Sequence, residues 1–206
     1  SYWSVPKGAR TAVDGTWQRG PGLGLFRAIE RSLGAGDGVG ADWSGPLSLP
    51  LVAEDLGVIT PDVEALRVDF GLAGMRVMQF GFDGAGDNLH LPHMYEQASV
   101  VYTGTHDNDT TVGWYTSLDA ETQRRVDYFL RAAPGQMPDA MIHAVMASVA
   151  QLAVVPMQDV LCLGSEARLN TPGTAIGNWS WRLPGHSLTA ELAQRFALLN
   201  RVFGRV

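Results

Sequence analysis

With one cysteine, Cys162, in 206 residues, the chain cannot close an internal disulfide, and this usage fits a reducing compartment. The thiol lies in the apolar run Val160-Leu161-Cys162-Leu163, where it is expected as buried filler and not as a nucleophile. Cations are also short: 15 Lys and Arg against 21 Asp and Glu leave a net charge of -6. Nucleic acid needs clustered cations, so this balance argues against it as a partner. The densest basic pair, Arg124-Arg125, reads as a solvated helix face. No apolar run approaches the ~18 residues that span a bilayer, so no membrane partner is expected. The opening Ser1-Tyr2-Trp3-Ser4-Val5-Pro6 has neither the basic patch nor the apolar stretch of a signal peptide, and a cytoplasmic location is expected. It also lacks an initiating methionine, which suggests a start partway through a longer chain.

What remains is ordinary for a soluble globular protein, at 46% hydrophobic and 17% charged residues. The length suits one large domain or a piece of something bigger. Four apolar runs have the length of strands: Leu47 to Glu54, Met75 to Phe82, Ser99 to Thr103 and Ala153 to Leu163. Val, Leu and Met without clean alternation describe strands covered on both faces. Helical patterns lie between them. Thr60-Pro61 places a capping side chain before a first-turn proline, and Val63, Leu66 and Phe70 share one face up to the stop at Gly71. Further helices are expected from Leu25 to Leu33 and from about Asp119 to Arg131, burying Val126, Phe129 and Leu130. Two more are expected after Pro138 (Met141, Ile142, Val145, Met146, Val149, Leu152) and from Thr189 towards Phe203. Strands alternating with helices imply βαβ units and a parallel sheet, hence an α/β fold. Gly34 to Gly40 and Gly81 to Asn88 read as loops, and no internal repeat is evident.

The chemistry concentrates in two segments, Glu54-Asp55-Leu56-Gly57 and Thr105-His106-Asp107-Asn108-Asp109-Thr110, each ending an apolar run with carboxylates. Acids at the carboxyl ends of parallel strands read as an active-site rim, and a pair of them suits glycoside chemistry. Adjacent strand residues point to opposite faces, so one of Glu54 and Asp55 faces the pocket while the other braces a loop. Beside Leu51, Val52 and Ala53, Glu54 is expected to be desolvated, which would raise its pKa as a general acid requires; a strand cap or an Arg partner is the plainer alternative. In the second segment His106 can donate to sugar hydroxyls, Asp107 can bind them or stabilise an oxocarbenium, and Asn108 can orient its neighbours. The same letters fit D-x-D-x-T, the aspartyl-phosphate motif of haloacid-dehalogenase-type phosphatases. They also fit the opening of a calcium loop, but without its later Gly and Glu. Phosphatases of that type carry the motif on their first strand, whereas here strands precede it.

Other features read as structural. Asp83 to Asp87 looks like a turn, and Pro92 between His90 and His93 excludes a helical ligand pair, so no metal site is expected. Of the six tryptophans (Trp3, Trp17, Trp43, Trp114, Trp179, Trp181), Trp179 and Trp181 stand beside Asn178 and Arg182 in a Gly/Pro-flanked loop suited to stacking on sugars.

At these residues the chain resembles the amylomaltases, the 4-α-glucanotransferases of the amylase superfamily. YWSVPKGARTAVDGTWQRGPG at 2–22 resembles the segment after the family's fourth barrel strand, and AEDLGVITPDVEALR at 53–67 its fifth-strand acid motif. GMRVMQFGFDG at 74–84 and NLHLPHMY at 88–95 resemble the sixth strand and its loop. VVYTGTHDNDTTVGWY at 100–115 resembles the seventh, and PMQDVLCLGSEARLNTPGTAIGNWSWRLPG at 156–185 the eighth with its closing loop.

The resemblance implies that residues 1–206 form a partial catalytic domain, the C-terminal half (strands 5–8) of a (β/α)8 TIM barrel. Glu54 would be the general acid/base and Asp107 the stabilising carboxylate, with His106, Asn108, Asn178 and Trp179 binding substrate. Asp159 sits in a matching segment without an assigned role. The substrates implied are α-1,4-glucans and maltooligosaccharides, with no cofactor. The family's nucleophilic aspartate belongs to an R-I-D-H-F-R-G-type motif that would precede Tyr2 and is absent here; Asp14 and Asp42 lie in loop contexts and do not replace it. The isolated chain is therefore expected to need the N-terminal barrel half, and its open edges to favour swapped or edge-paired association. The alternative outside catalysis is a glucan-binding fragment.

Overall fold

The computed structural model describes residues 2–33, 51–133 and 135–205. The expected loop at Gly34 to Gly40, Asp42, Trp43 and the first residues of the Leu47 to Glu54 run lie outside them. The chain divides into two compact units, residues 1–73 and 74–206.

In the first unit, β1 (Tyr2–Ser4) pairs antiparallel with β2 (Thr16–Gln18). Trp3 meets Trp17 edge-on at 5.3 Å, and its indole N–H donates to the Ala12 carbonyl at 2.8 Å. A Cβ at Gly15 would lie 2.2 Å from the same indole nitrogen, so only glycine lets the turn close on it. Helix α1 (Leu23–Leu33) presents Phe26 and Ile29, and α2 (Pro61–Asp69) presents Leu66. They pack with Leu51 and Ala53 around buried Phe70 and Leu72. Helix α2 starts at Pro61 and stops at Gly71, whose φ is +57°, as its sequence dictates. Thr60 does not cap it in the expected way, because its hydroxyl donates to the Asp62 carboxylate at 2.5 Å instead of accepting a backbone N–H. Val63, expected on the apolar face, is exposed. Of the expected strand ending at Glu54, the described part makes only an isolated parallel bridge, Val52 to Ala73.

The second unit is built on a parallel sheet of order β3-β4-β5, with β3 Gly74–Val77, β4 Ser99–Tyr102 and β5 Leu152–Val154. Each strand is shorter than its apolar run. After Val77 the chain tightens into a 3-10 turn, Met78–Gly81. After Val154, Pro156 starts a short helix, α6 (Met157–Val160), because proline suits a helix start and supplies no ladder donor.

Helices α3 (Thr111–Ser117) and α4 (Ala120–Leu130) join β4 to α5 (Asp139–Met146), and α7 (Ala190–Val202) ends the chain. Met78, Val101, Val126, Met141, Ile142 and Val145 form the core, with Trp114, Phe196 and Leu199 packed around it. Each fully buried aliphatic of this set contributes about 1.5–3 kcal/mol. Helix α5 is shorter than its apolar stripe: Val149 is exposed and Leu152 belongs to β5. The guanidinium of Arg205 ends it, donating to the carbonyls of Met146 (2.6 Å), Ser148 (2.8 Å) and Ala150 (2.9 Å). Phe129 is more exposed than its spacing suggested. Cys162 is not buried filler. It is exposed, with φ +56°, and partial burial of the thiol, ahead of the nearby Asp139, pushes its pKa up.

Candidate active site

Parallel strands present their carboxyl ends on one side, and here each is followed by polar side chains: Gln79 after β3, His106 to Asp109 after β4, and Gln158 and Asp159 after β5. The segment after β4 is held by its own side chains. Asn108 Oδ1 accepts from the Thr105 N–H at 2.9 Å and from the Thr105 hydroxyl at 2.8 Å, and the Asp107 N–H donates to that hydroxyl at 3.3 Å. Asn108 therefore orients the turn that presents its neighbours. His106 and Asp107 both stand exposed, with His106 Nε2 3.3 Å from Asp107 Oδ1. The ring of Trp179 lies over His106 at 5.2 Å and 35°.

Beneath this turn the structure is buried and braced. Asp159 is 1% exposed, and its carboxylate accepts from the Thr103 hydroxyl (2.6 Å), the Thr111 hydroxyl (2.7 Å) and the Thr111 N–H (2.7 Å). It thus ties the end of β4 and the first residue of α3 to α6. Asp109 accepts from the Thr110 N–H at 2.8 Å and the Ser165 hydroxyl at 2.7 Å, while its carbonyl accepts from Gln79 at 3.0 Å. Both Asp109 oxygens thus serve packing. His106, Asn108, Asp109, Gln158, Asp159 and Arg168 line a hollow of about 210 Å³. Asp107 and Trp179 lie outside that lining, at the surface.

Asn178 works inside its loop. Its Oδ1 accepts from the Thr171 N–H at 2.9 Å and its amide donates to the Thr174 carbonyl at 2.9 Å. This closes the 171–178 turn before Trp179, which sits at φ +60° with its N–H on the Leu169 carbonyl. Two further residues carry the arrangement and were not singled out from the sequence. Asn170 donates to Asp107 Oδ1 at 2.5 Å, and Arg168 Nη2 donates to the Asp107 carbonyl at 2.7 Å. Nothing local marks them, since they meet Asp107 only across the fold.

Glu54 belongs to the first unit. Its carboxylate accepts from the Leu56 N–H at 2.6 Å, and the residue is exposed. The expected desolvation by Leu51, Val52 and Ala53 is not found, because the chain turns at once to pair Glu54 with its own backbone. Asp55, on the other side, is nearly buried and sits 3.7 Å from Arg67 Nε, so it is the bracing partner of the two. His90 Nδ1 accepts from the Val77 N–H at 3.0 Å, and His93 pairs with the Gly86 carbonyl at 2.8 Å. Asp83 accepts from the Ala85 N–H at 2.9 Å, the turn its sequence suggests, and that bond chiefly holds its pKa below the ordinary carboxylate range.

A family model described as 4-alpha-glucanotransferase matches residues 1–189. The 4-alpha-glucanotransferase of Thermus thermophilus is 46% identical, over 95% of this chain and 38% of its own length. That of Synechocystis is 44% identical, over 100% of this chain and 39% of its own. The chloroplastic/amyloplastic enzyme DPE1 of Arabidopsis thaliana is 43% identical, over 100% of this chain and 34% of its own. The chain thus spans between a third and two fifths of these relatives. Among solved structures, the amylomaltase from Streptococcus agalactiae in complex with acarbose superposes with a TM-score of 0.85 at 32% identity. It covers 98% of this chain and 39% of that one. These matches replace the phosphatase reading of residues 107–111, whose second aspartate is already spent on Ser165 and Thr110. On this evidence of sequence and fold, the chain belongs to the 4-alpha-glucanotransferase family.

Proposed function

We propose that these residues are the C-terminal half, strands five to eight, of a (β/α)8 barrel that transfers α-1,4-glucan segments between maltooligosaccharides with retention of configuration. In this reading residues 1–206 are one partial catalytic domain, acting without a cofactor in the cytoplasm. Glu54 and Asp107 are the two carboxylates that these residues bring to the reaction. Glu54 protonates the leaving glycosidic oxygen while an aspartate of the preceding barrel half attacks the anomeric carbon. The glucosyl ester that forms is resolved by a second sugar's hydroxyl, whose proton returns to Glu54. Asp107 and His106 hold the hydroxyls of the reacting ring, and Trp179 offers an aromatic face to a neighbouring sugar. Asn108 and Asn178 support these contacts by fixing the two loops. The observation that carries the reading is the grouping of Asp107, His106 and Trp179 at the carboxyl end of a parallel sheet in a chain of this family.

The 206 residues contain no R-x-D-x-F-R-G sequence. A polypeptide of these residues alone is expected to yield no longer oligosaccharides from maltotriose, and to use its open sheet edge for swapped or edge-paired association. Supplied with the preceding barrel half, it is expected to disproportionate maltotriose, with Glu54→Gln reducing the rate by more than about 10³-fold. Transfer by the 206 residues alone, or full activity of Glu54→Gln, would refute the assignment.

A further inference from the structure

We propose that Asn170, aided by Arg168, is the positioning residue for Asp107, fixing both its carboxylate and its backbone from the loop after α6. The proposal rests on the functional reading above and deepens it.

Asp107 stands at the surface, where a lone aspartate side chain turns freely between rotamers. Two contacts from a segment distant in sequence hold it, one restricting the side chain and one fixing the backbone. The Asn170 amide donates to Oδ1 at 2.5 Å, and Arg168 Nη2 donates to the Asp107 carbonyl at 2.7 Å. The same Arg168 donates through Nε to the Asn170 carbonyl at 2.9 Å, so one guanidinium sets the spacing between the two backbones. The clamp is itself anchored, because the Trp179 N–H donates to the Leu169 carbonyl at 2.7 Å, which brings the Trp179 ring over His106.

The residue type at 170 matters. A neutral amide holds a carboxylate oxygen without cancelling its charge, whereas a Lys or Arg there would compete with developing positive charge for the same carboxylate. Oδ1 is taken by Asn170 and faced by His106, which leaves Oδ2 to meet a sugar hydroxyl. A misplacement of about 1 Å at such a group costs on the order of a hundredfold in rate.

The test uses the full-length transferase, complete with the preceding barrel half, with maltotriose as substrate. Asn170→Ala is expected to lower kcat about ten- to a hundredfold while KM changes less. Asn170→Asp, nearly isosteric, places two carboxylates at hydrogen-bond distance beside His106 and Arg168. Such a pair shares one proton at lower pH, and the retained proton restores the donor that Asn170 supplied. At higher pH the pair loses that proton and repels. The variant is therefore expected to recover activity on the acid side of the profile and to lose it on the alkaline side. A merely structural role would lower stability and leave the profile unmoved. Should Asn170→Ala fail to fold, the pH profile of Asn170→Asp decides alone. Unchanged kcat in Asn170→Ala, or an Asn170→Asp profile matching the parent's, overturns the proposal. A parent protein that performs no transfer overturns the functional reading and this inference with it.

Discussion

Replacing Asp159 with alanine isolates the contribution of the brace beneath the candidate site. In the folded protein its carboxylate is the acceptor for three donors, the hydroxyls of Thr103 and Thr111 and the N–H of Thr111, at 2.6–2.7 Å. Both threonines are 0% exposed, so water does not take over the bonds. Each buried donor left unpaired costs about 1–3 kcal/mol. The hydroxyls can rotate, and that of Thr111 already has the Met141 sulfur at 3.7 Å as a weak alternative, but the N–H cannot. A net loss of about 3–5 kcal/mol follows, a large share of the ~5–15 kcal/mol that keeps a domain folded. Asp159→Asn retains an acceptor for the N–H, and each threonine hydroxyl can turn to accept from the new amide, so about 1–2 kcal/mol is expected. Urea unfolding followed by near-ultraviolet circular dichroism measures both. With a slope of about 2 kcal/mol/M, the alanine variant should unfold about 2 M earlier than the parent and the asparagine variant less than 1 M earlier. An alanine variant within about 0.3 M of the parent would show that Asp159 is not the brace described.

Other outcomes follow from the same reasoning. In Gly113→Ala the new Cβ would sit 2.2 Å from the Ser165 hydroxyl and 2.8 Å from the Asp109 carboxyl. The Ser165 to Asp109 bond must open, at about 1–3 kcal/mol by thermal unfolding; an unchanged melting temperature would contradict the packing. Arg205→Ala removes the only guanidinium bonded to the carbonyls after α5 among the described residues, and about 2–4 kcal/mol is expected. Arg205→Lys should recover less than half of it, because an ammonium cannot span the same carbonyls. Asp119 caps α4 through the N–H groups of Glu121 and Thr122, and these bonds, Thr122 first, hold its pKa below the ordinary range. Its stabilisation is complete above its unfolded value near pH 4 and fades as the pH falls through the lower folded value. Asp119→Asn should flatten that acid limb in melts between about pH 2 and pH 5 while keeping the cap; an unaltered limb would assign the acid sensitivity elsewhere.

The readable parts of the fold are those in which a local rule meets no opposition. The helix expected from Thr189 towards Phe203 is α7, and the structure adds its cap, the Thr189 hydroxyl accepting from the Leu192 N–H. Ser99 to Thr103 gives β4 almost residue for residue. Gly113 lowers the helix propensity of residues 111–117, so local pattern does not announce α3. The glycine is present for Ser165 and Asp109, which are invisible from local sequence. The stripe after Pro138 overran its helix because apolar periodicity continues into β5, and only Arg205, from the far end of the chain, marks where α5 ends.

The alternation of apolar strands and amphipathic helices, the terminal carboxylates and the motif order that carries the family resemblance are legible in the residues alone. These are properties of residue type and spacing along one line. The partners of each acid after β4 are set by packing. Asp107 is held at the surface by Asn170 and Arg168, while Asp109 and Asp159 are spent on hydroxyls and backbone below. Hydrogen bonds between residues some fifty to sixty positions apart leave no periodic trace in a sequence, because each depends on a pair brought together by packing.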